Sequence, residues 1–238
     1  MRLVLLSDIH GNNLALQKVL EDVEEGDQSF VCLGDSIWNG PQPTEVLREL
    51  RGLNCPVVMG NTDEFLVGRA KERLHPILKD LNAWCNGRLS EDDRAFIGTF
   101  KPTITLPLGD GLELLCYHGS PRSNREGIYA TTSDKKLTRI LRGHPEKVLA
   151  GGHTHSQMVR RFGDRLIVNP GSVGQPFEYK GRRPAMILPQ AEYAVVDNEG
   201  GKTQVSLKRV KYGIDKLEKV VESSDMPHKK LWLKEWKR

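Results

Sequence analysis

The chain has 238 residues, 38% of them apolar and 28% charged, which is the make-up of a soluble globular protein, and no stretch approaches a bilayer-spanning length. The net charge of +4 equals the charge of the last segment, HKKLWLKEWKR (228–238), so the rest of the chain is neutral and offers no basic face for nucleic acid. Cys32, Cys55, Cys85 and Cys116 form no CxxC pair, which points to a reduced, cytoplasmic protein without disulfides.

In chain order, RLVLL (2–6) meets charge and glycine at once, and so predicts a first strand rather than a signal-peptide core. Asn12 or Asn13 then caps a helix with the stripe Leu16, Val19, Leu20 and Val23. FVCL (30–33) is a second strand, PTEVLREL a Pro-opened helix closed by Gly52, and PVVM (56–59) a third strand. This alternation predicts a parallel or mixed sheet covered by helices. Residues 64–101 break it and read as a helical insertion or cap, with Pro76 opening one helix and Ser90–Asp93 starting another. TITLPLGDGLELLCYH predicts a hairpin about Gly-Asp-Gly. A helix near 133–142, the strand VLA (148–150), the hairpin MVRRFGDRLIVNPG and the late strands AVVD and QVSLKRV follow. The tail KKLWLKEWKR reads either as a membrane-surface helix or as a terminal helix packing Leu233 and Trp236 on the domain or on a neighbouring subunit. With no repeat or linker, residues 1–238 are expected to form one domain, with residues 213–238 as a C-terminal helical tail.

The apolar runs share a feature at their carboxyl ends. RLVLLS leads into Asp8-Ile9-His10, FVCLG into Asp35, PVVMG into Asn61, LELLCY into His118, and VLAGG into His153-Thr154-His155. Singly these are turn, cap or structural residues, and Asn61 suits a left-handed turn. Together they deliver metal-competent side chains to the end of the strands where α/β sheets build their sites. The donors are oxygen and imidazole without thiolate, a set that suits Mn²⁺, Fe, Ni²⁺, Mg²⁺ or Zn²⁺.

The ordered set Asp8-x-His10, Gly34-Asp35, Gly60-Asn61, His118-Gly119 and Gly152-His153-Thr154-His155 resembles the calcineurin-like metallophosphoesterase superfamily, in particular its small prokaryotic phosphodiesterase-type branch. NPGSVGQP (169–176) is also similar to that family. The resemblance implies an α/β fold, a four-layer α-β-β-α sandwich of two mixed sheets with helices outside. It implies one metal at Asp8, His10, Asp35 and His155 and another at Asp35, Asn61, His118 and His153, with Asp35 bridging two divalent ions, Mn²⁺ favoured. Asp35, Asn61 and His118 then carry catalysis, in which a hydroxide between the metals attacks phosphorus in line. The helix start at Asn12, together with Arg122 and Arg125, would bind substrate, a small phosphoester or nucleotide.

One position departs from the family. Where many members have a histidine that protonates the leaving group, this chain has Thr62. A hydroxyl has no pKa near neutrality, so protonation falls to metal-bound water, Asp63 or the substrate itself, which favours phosphodiesters over unactivated monoesters. Two other readings stay open: a non-catalytic interaction scaffold on the same fold, and another hydrolase type, such as a protein phosphatase, phosphomonoesterase or dinucleoside-polyphosphate hydrolase.

Overall fold

The structure is a computed structural model that describes residues 1–24, 26, 28–69, 74–179 and 185–237. Two mixed sheets dominate it. The first has the order β11-β10-β1-β2, from β1 (Arg2–Leu6), β2 (Gln28–Cys32), β10 (Gln190–Glu199) and β11 (Lys202–Lys211). Within it β1 runs parallel to β2 and antiparallel to β10. The second has the order β3-β4-β5-β7-β6, from β3 (Thr103–Gly109), β4 (Leu112–Tyr117), β5 (Val148–Ala150), β6 (Met158–Phe162) and β7 (Arg165–Asn169). A short ladder pairs β8 (Phe177–Glu178) with β9 (Met186–Ile187).

Side-chain alternation along β1 explains the layering. Leu3 and Leu5 point into a core shared with Val31, Cys116, Val148 and Val168, which lies between the sheets. Val4 and Leu6 point the other way, into a core with Leu16, Val19, Val46 and Leu50 from helices α1 (Asn13–Asp22) and α2 (Pro43–Gly52). A strand buried on both faces reads as an unbroken apolar run, as RLVLL does. On the outer face of the second sheet, Leu137 and Ile140 of α6 (Asp134–Ile140) cover Leu115, Leu149 and Ile167. The fold is thus the four-layer α-β-β-α sandwich.

Local signals explain most helix boundaries. Asn12 caps α1 by accepting from the Ala15 amide. Helices α3 (Asn61–Leu66), α4 (Pro76–Arg88) and α5 (Glu91–Gly98) occupy most of the described part of 61–98, and Ser90 and Asp93 close a reciprocal capping box on α5. One local expectation is corrected. Residues 56–59 form single parallel bridges, Cys32 with Val57 and Val58 with Lys101, rather than a strand. Pro56 offers only its carbonyl, which Cys32 N–H uses, so no continuous ladder can form there. Gly52 closes α2 as expected, and the left-handed residue beyond it is Asn54 (φ 47°).

The tail is not a membrane-surface helix. Trp232 and Trp236 flank the end of α8 (Lys229–Leu233) and are buried in the core, their rings 5.0 Å apart. The tail backbone pairs with β9 through Ile187 N–H to Glu235 O (2.9 Å) and Lys237 N–H to Ile187 O (2.7 Å). The partly buried Leu233 packs beside them, and no described helix is long and apolar enough to cross a membrane. All four cysteines are buried and unpaired, and burial raises the Cys55 and Cys85 thiols to about 12.

Leu5 is fully buried between the sheets. Leu5→Ala is expected to cost about 2–5 kcal/mol through lost burial and a residual cavity. The measurement is a urea titration, with a lower midpoint and an unchanged slope.

Candidate functional site

The loops that leave the strands are laced to one another before any side chain is considered. Asp8 N–H donates to Gly34 O (2.9 Å) and His10 N–H to Asp35 O (3.0 Å), which extends the β1–β2 pairing past the strand ends. Gly152 N–H donates to His118 O (2.8 Å), doing the same for β4 and β5. The 172–174 loop crosses over β1, with Val173 N–H on Ser7 O and Gly174 N–H on Asp8 O. Within this frame Asp8, His10, Asp35, His153 and His155 all adopt left-handed backbone conformations, with φ between 49° and 67°. Such conformations cost free energy and persist only where the surroundings over-determine them, which is the signature of a functional site.

The side chains converge in two groups. Asp8, His10 and His155 form one, and Asp35, His118 and His153 the other, the donor atoms within each lying no more than 4.8 Å apart. Asp35 faces both groups, with Oδ1 3.4 Å from His118 Nε2 and Oδ2 3.8 Å from His10 Nε2. Asn61 Oδ1 lies 3.1 Å from His118 Nε2. All seven residues that the sequence pointed to are brought together.

Three imidazoles have their tautomer set by main-chain carbonyls. The Nδ1 atoms of His10, His118 and His155 lie 3.0, 2.7 and 2.6 Å from the carbonyl oxygens of Trp38, Leu33 and Gln175. A carbonyl only accepts, so each Nδ1 donates its proton there, and Nε2 is left as the atom that a metal can take once it is deprotonated. His10 Nε2 and His155 Nε2 then oppose each other at 3.1 Å, and His118 Nε2 opposes the Asn61 oxygen. Asp8 Oδ1 is buried with no hydrogen-bond partner among the described residues. Such a buried set of acceptors calls for a cation, a proton in the metal-free protein or a metal in its place, and imidazoles oriented through Nδ1 are the usual surroundings of a bound metal. The residues therefore fit divalent metals.

Residues 1–193 match the calcineurin-like phosphoesterase superfamily domain. The chain belongs to this superfamily. The calcineurin-like phosphoesterase is 26% identical to an uncharacterised protein of Methanocaldococcus jannaschii, over 98% of this chain and 96% of that one. It is 28% identical to phosphodiesterase YfcE of Escherichia coli, over 84% of this chain and 89% of that one. Among solved structures, a metallophosphoesterase of Sphaerobacter thermophilus shares the fold at TM-score 0.76 and 24% identity, covering 99% of this chain and 97% of that one. A hypothetical protein of Pyrococcus horikoshii shares it at TM-score 0.81 and 22% identity, covering 98% and 96%.

Several residues expected around the site of this phosphoesterase are engaged in hydrogen bonds within the protein. Asn12 is fully buried and fully used: its oxygen caps α1, and its amide nitrogen donates to Gly174 O (3.0 Å) and Tyr212 Oη (3.2 Å). Gln42 Oε1 takes the Leu14 amide (3.1 Å), so two of the first amides of α1 are used within the protein. Arg122 is bound to Glu126 through Nε and Nη2, both at 2.6 Å, and Arg125 Nη1 to Glu64 Oε2 at 2.6 Å. Asp63 is no free acid. Its carboxylate accepts from the backbone N–H groups of Asp35, Ser36 and Gly60 at 2.8, 2.9 and 3.1 Å and is fully buried. Thr62 contributes its backbone N–H to Asp35 Oδ1 (2.9 Å), and its buried hydroxyl has no partner among the described residues.

Other positioning residues lie within the NPGSVGQP stretch, whose motif was visible without their roles. Asn169 Nδ2 donates to Gly152 O (2.8 Å), holding the loop that carries His153 and His155. Ser172 Oγ donates to Asp8 O (2.7 Å), and Gln175 supplies the carbonyl for His155. Phe177 lies flat on His155, ring centroids 4.3 Å apart, and also lines a cavity of about 620 Å³ with Tyr179, Arg209 and Lys211.

The electrostatics follow from burial and neighbours. For His118, burial opposes protonation, but Asp35, Asp8 and the Leu33 carbonyl outweigh it and raise its pKa to about 9. For Asp63, burial and then the Asp35 charge raise the carboxyl to about 7 against its backbone donors. For His153, burial and then His118 lower the pKa. Asp35 is lowered, the imidazoles His118 and His10 overcoming its burial.

A divalent ion must displace the His118 proton, which is held up to about 9 in the metal-free protein. Mn²⁺ affinity is therefore expected to rise with pH up to that value, by about tenfold per pH unit for one displaced proton. Calorimetric titration in buffers of different pH checks this, and a flat profile would contradict it. A Cβ on Gly60 would lie 2.2 Å from both Asp35 N and Asp35 Oδ1. Gly60→Ala is accordingly expected to weaken metal binding by about 10–100-fold while circular dichroism stays unchanged.

Proposed function

We propose that the chain is a dinuclear metal-dependent phosphoesterase that prefers phosphodiesters to monoesters. The observation that carries this reading is the opposed set of lone pairs around Asp35: Nε2 atoms locked by carbonyls behind them, and a carboxylate with one oxygen toward each group. On it, Asp8, His10, Asp35 and His155 would hold one ion, and Asp35, Asn61, His118 and His153 the other. Manganese is favoured by the oxygen-and-imidazole donor set, with Fe, Ni²⁺, Mg²⁺ or Zn²⁺ as alternatives. Such ions, when bound, lower the pKa of water and neutralise phosphate oxygens during an in-line displacement.

The rest of the chemistry belongs to the protein. The neutral Asn61 oxygen adds a donor without adding negative charge where a phosphate must come. The Thr62 amide and the Asp63 brace hold Asp35 with one oxygen toward each metal group. Because Asp63 is tied by three backbone donors and Thr62 has no titratable group, no side chain at this position protonates a leaving group. That favours esters whose leaving groups need no proton, and the likeness to a relative named a phosphodiesterase supports the diester. Arg122 and Arg125 would reach phosphate only by exchanging their carboxylate partners for it. The cavity beside Phe177 has room for the organic part of a small phosphoester or nucleotide.

Turnover of a bis-aryl phosphodiester is compared with that of the matching aryl monoester, with Mn²⁺ present. The diester is expected to be the better substrate by about tenfold or more, a difference of about 1.4 kcal/mol in barrier. A monoester that reacts faster would sink the preference. Asp35→Asn and His118→Ala are each expected to lose about a hundredfold or more, the scale of an ångström-sized misplacement. Undiminished activity in either variant would break the two-metal assignment.

A further inference from the structure

We infer that the C-terminal tail is part of the metal centre's framework, and that Trp232 is a positioning residue for one of the two metal groups, that of Asp8, His10 and His155. This rests on the two-metal reading above. Trp232 Nε1 donates to Asn39 O at 2.9 Å, across 193 residues of sequence. Gln175 Nε2 donates to the same oxygen, also at 2.9 Å. Asn39 is left-handed (φ 74°), and its neighbour Trp38 supplies the carbonyl that orients His10. Gln175 in turn supplies the carbonyl that orients His155. Both imidazoles of this group are therefore aimed from the Trp38–Asn39 stretch, and the tail indole holds that stretch in place.

The contact leaves little room for slack. A Cβ at Gly40 would lie 1.9 Å from His10 O, so the 38–40 loop presses directly against the His10 backbone. Trp232 is only 4% exposed, and the strand-like pairing of the tail with β9 fixes the depth of its ring. His118 depends on none of this, because its Nδ1 partner is Leu33 O at the end of β2. Loss of the indole N–H should thus loosen one metal group and spare the other. A purely structural role in the core would affect both alike or neither.

Trp236 provides the matched control. It is equally buried, packs 5.0 Å from Trp232, and its Nε1 has no hydrogen-bond partner among the described residues. Calorimetric titration of metal-free full-length protein with Mn²⁺ is expected to give two binding events in the wild type. Trp232→Phe, which keeps a ring but deletes the donor, should weaken one event by about tenfold, the lower end for partners that orient ligands, and leave the other unchanged. Trp236→Phe should leave both unchanged. Equal affinities in Trp232→Phe and wild type, or equal losses in the two variants, would overturn the inference. If wild type itself binds no Mn²⁺, the two-metal reading fails first and takes this one with it.

Should Trp232→Phe unfold at the assay temperature, the wild type decides by reciprocity, since a bond that strengthens a site must be strengthened by its ligand. Zn²⁺ loading should slow hydrogen exchange of the Trp232 indole N–H in the wild type. An exchange rate that does not respond to Zn²⁺ would overturn the inference.

Discussion

Three histidines spend their Nδ1 protons on main-chain carbonyls, and much else in this protein is arranged around the consequence. Once His10, His118 and His155 are committed in that way, their Nε2 lone pairs must face other acceptors, among them Asp35, Asn61 and one another. In a buried site that arrangement is unfavourable without positive charge, which is either a proton, as His118 holds up to about 9, or a metal ion in its place. The left-handed backbone at five of the seven converging residues is a second cost in the same place. Both are sustained by the hydrogen-bonded lacing of the strand-end loops, which leaves the backbone few alternatives.

The sandwich makes this convergence possible. β1 and β2 belong to one sheet and β4 and β5 to the other, so their carboxyl ends meet only because the two sheets pack face to face on Leu3, Leu5, Cys116 and Ala150. Gly60 and Gly152 then allow backbone to approach carboxylates at distances that a Cβ would forbid, the first against Asp35 and the second against Asp8 and Ser7. Asp63 has a different task from the acid it resembles in sequence. Its three backbone donors tie the start of α3 to the Asp35 loop, so a buried carboxylate serves as a brace between two ligand-bearing segments. The two metal groups also differ in support: His118 is set by the end of a sheet strand, whereas His10 and His155 are set by loops that lean on the tail.

The alternation of strands and helices and the converging residues were legible in the chain, while the four-layer order came with the family resemblance, and particular residues show why. RLVLL and VLA are continuous apolar runs because both of their faces are covered. Asp8, Asp35, Asn61, His118 and His153 follow such runs directly, and strand ends are where side chains can gather. Gly52 ends α2 as its helix-stop preference suggests, and Asn54 takes the left-handed turn beyond it. Residues 56–59 had the composition of a strand but lacked a ladder, since Pro56 has no N–H to give. Asn12 was a sound choice of cap, while Tyr212, 200 residues away, takes up its amide in a contact that near neighbours do not announce.

Local chemistry is thus written in the chain: strand and helix periods, caps, and the identity of side chains able to bind a metal all depend on near neighbours. Which atoms are free to act is a matter of space. Asp63 looks like a free acid until backbone amides occupy it, and Arg122 like a free cation until Glu126 pairs with it. Trp232 looks like part of a basic amphipathic tail until its indole meets Asn39. Hydrogen-bond donors and acceptors are consumed by whichever partner the fold brings within about 3 Å, and sequence order says nothing about partners that far along the chain.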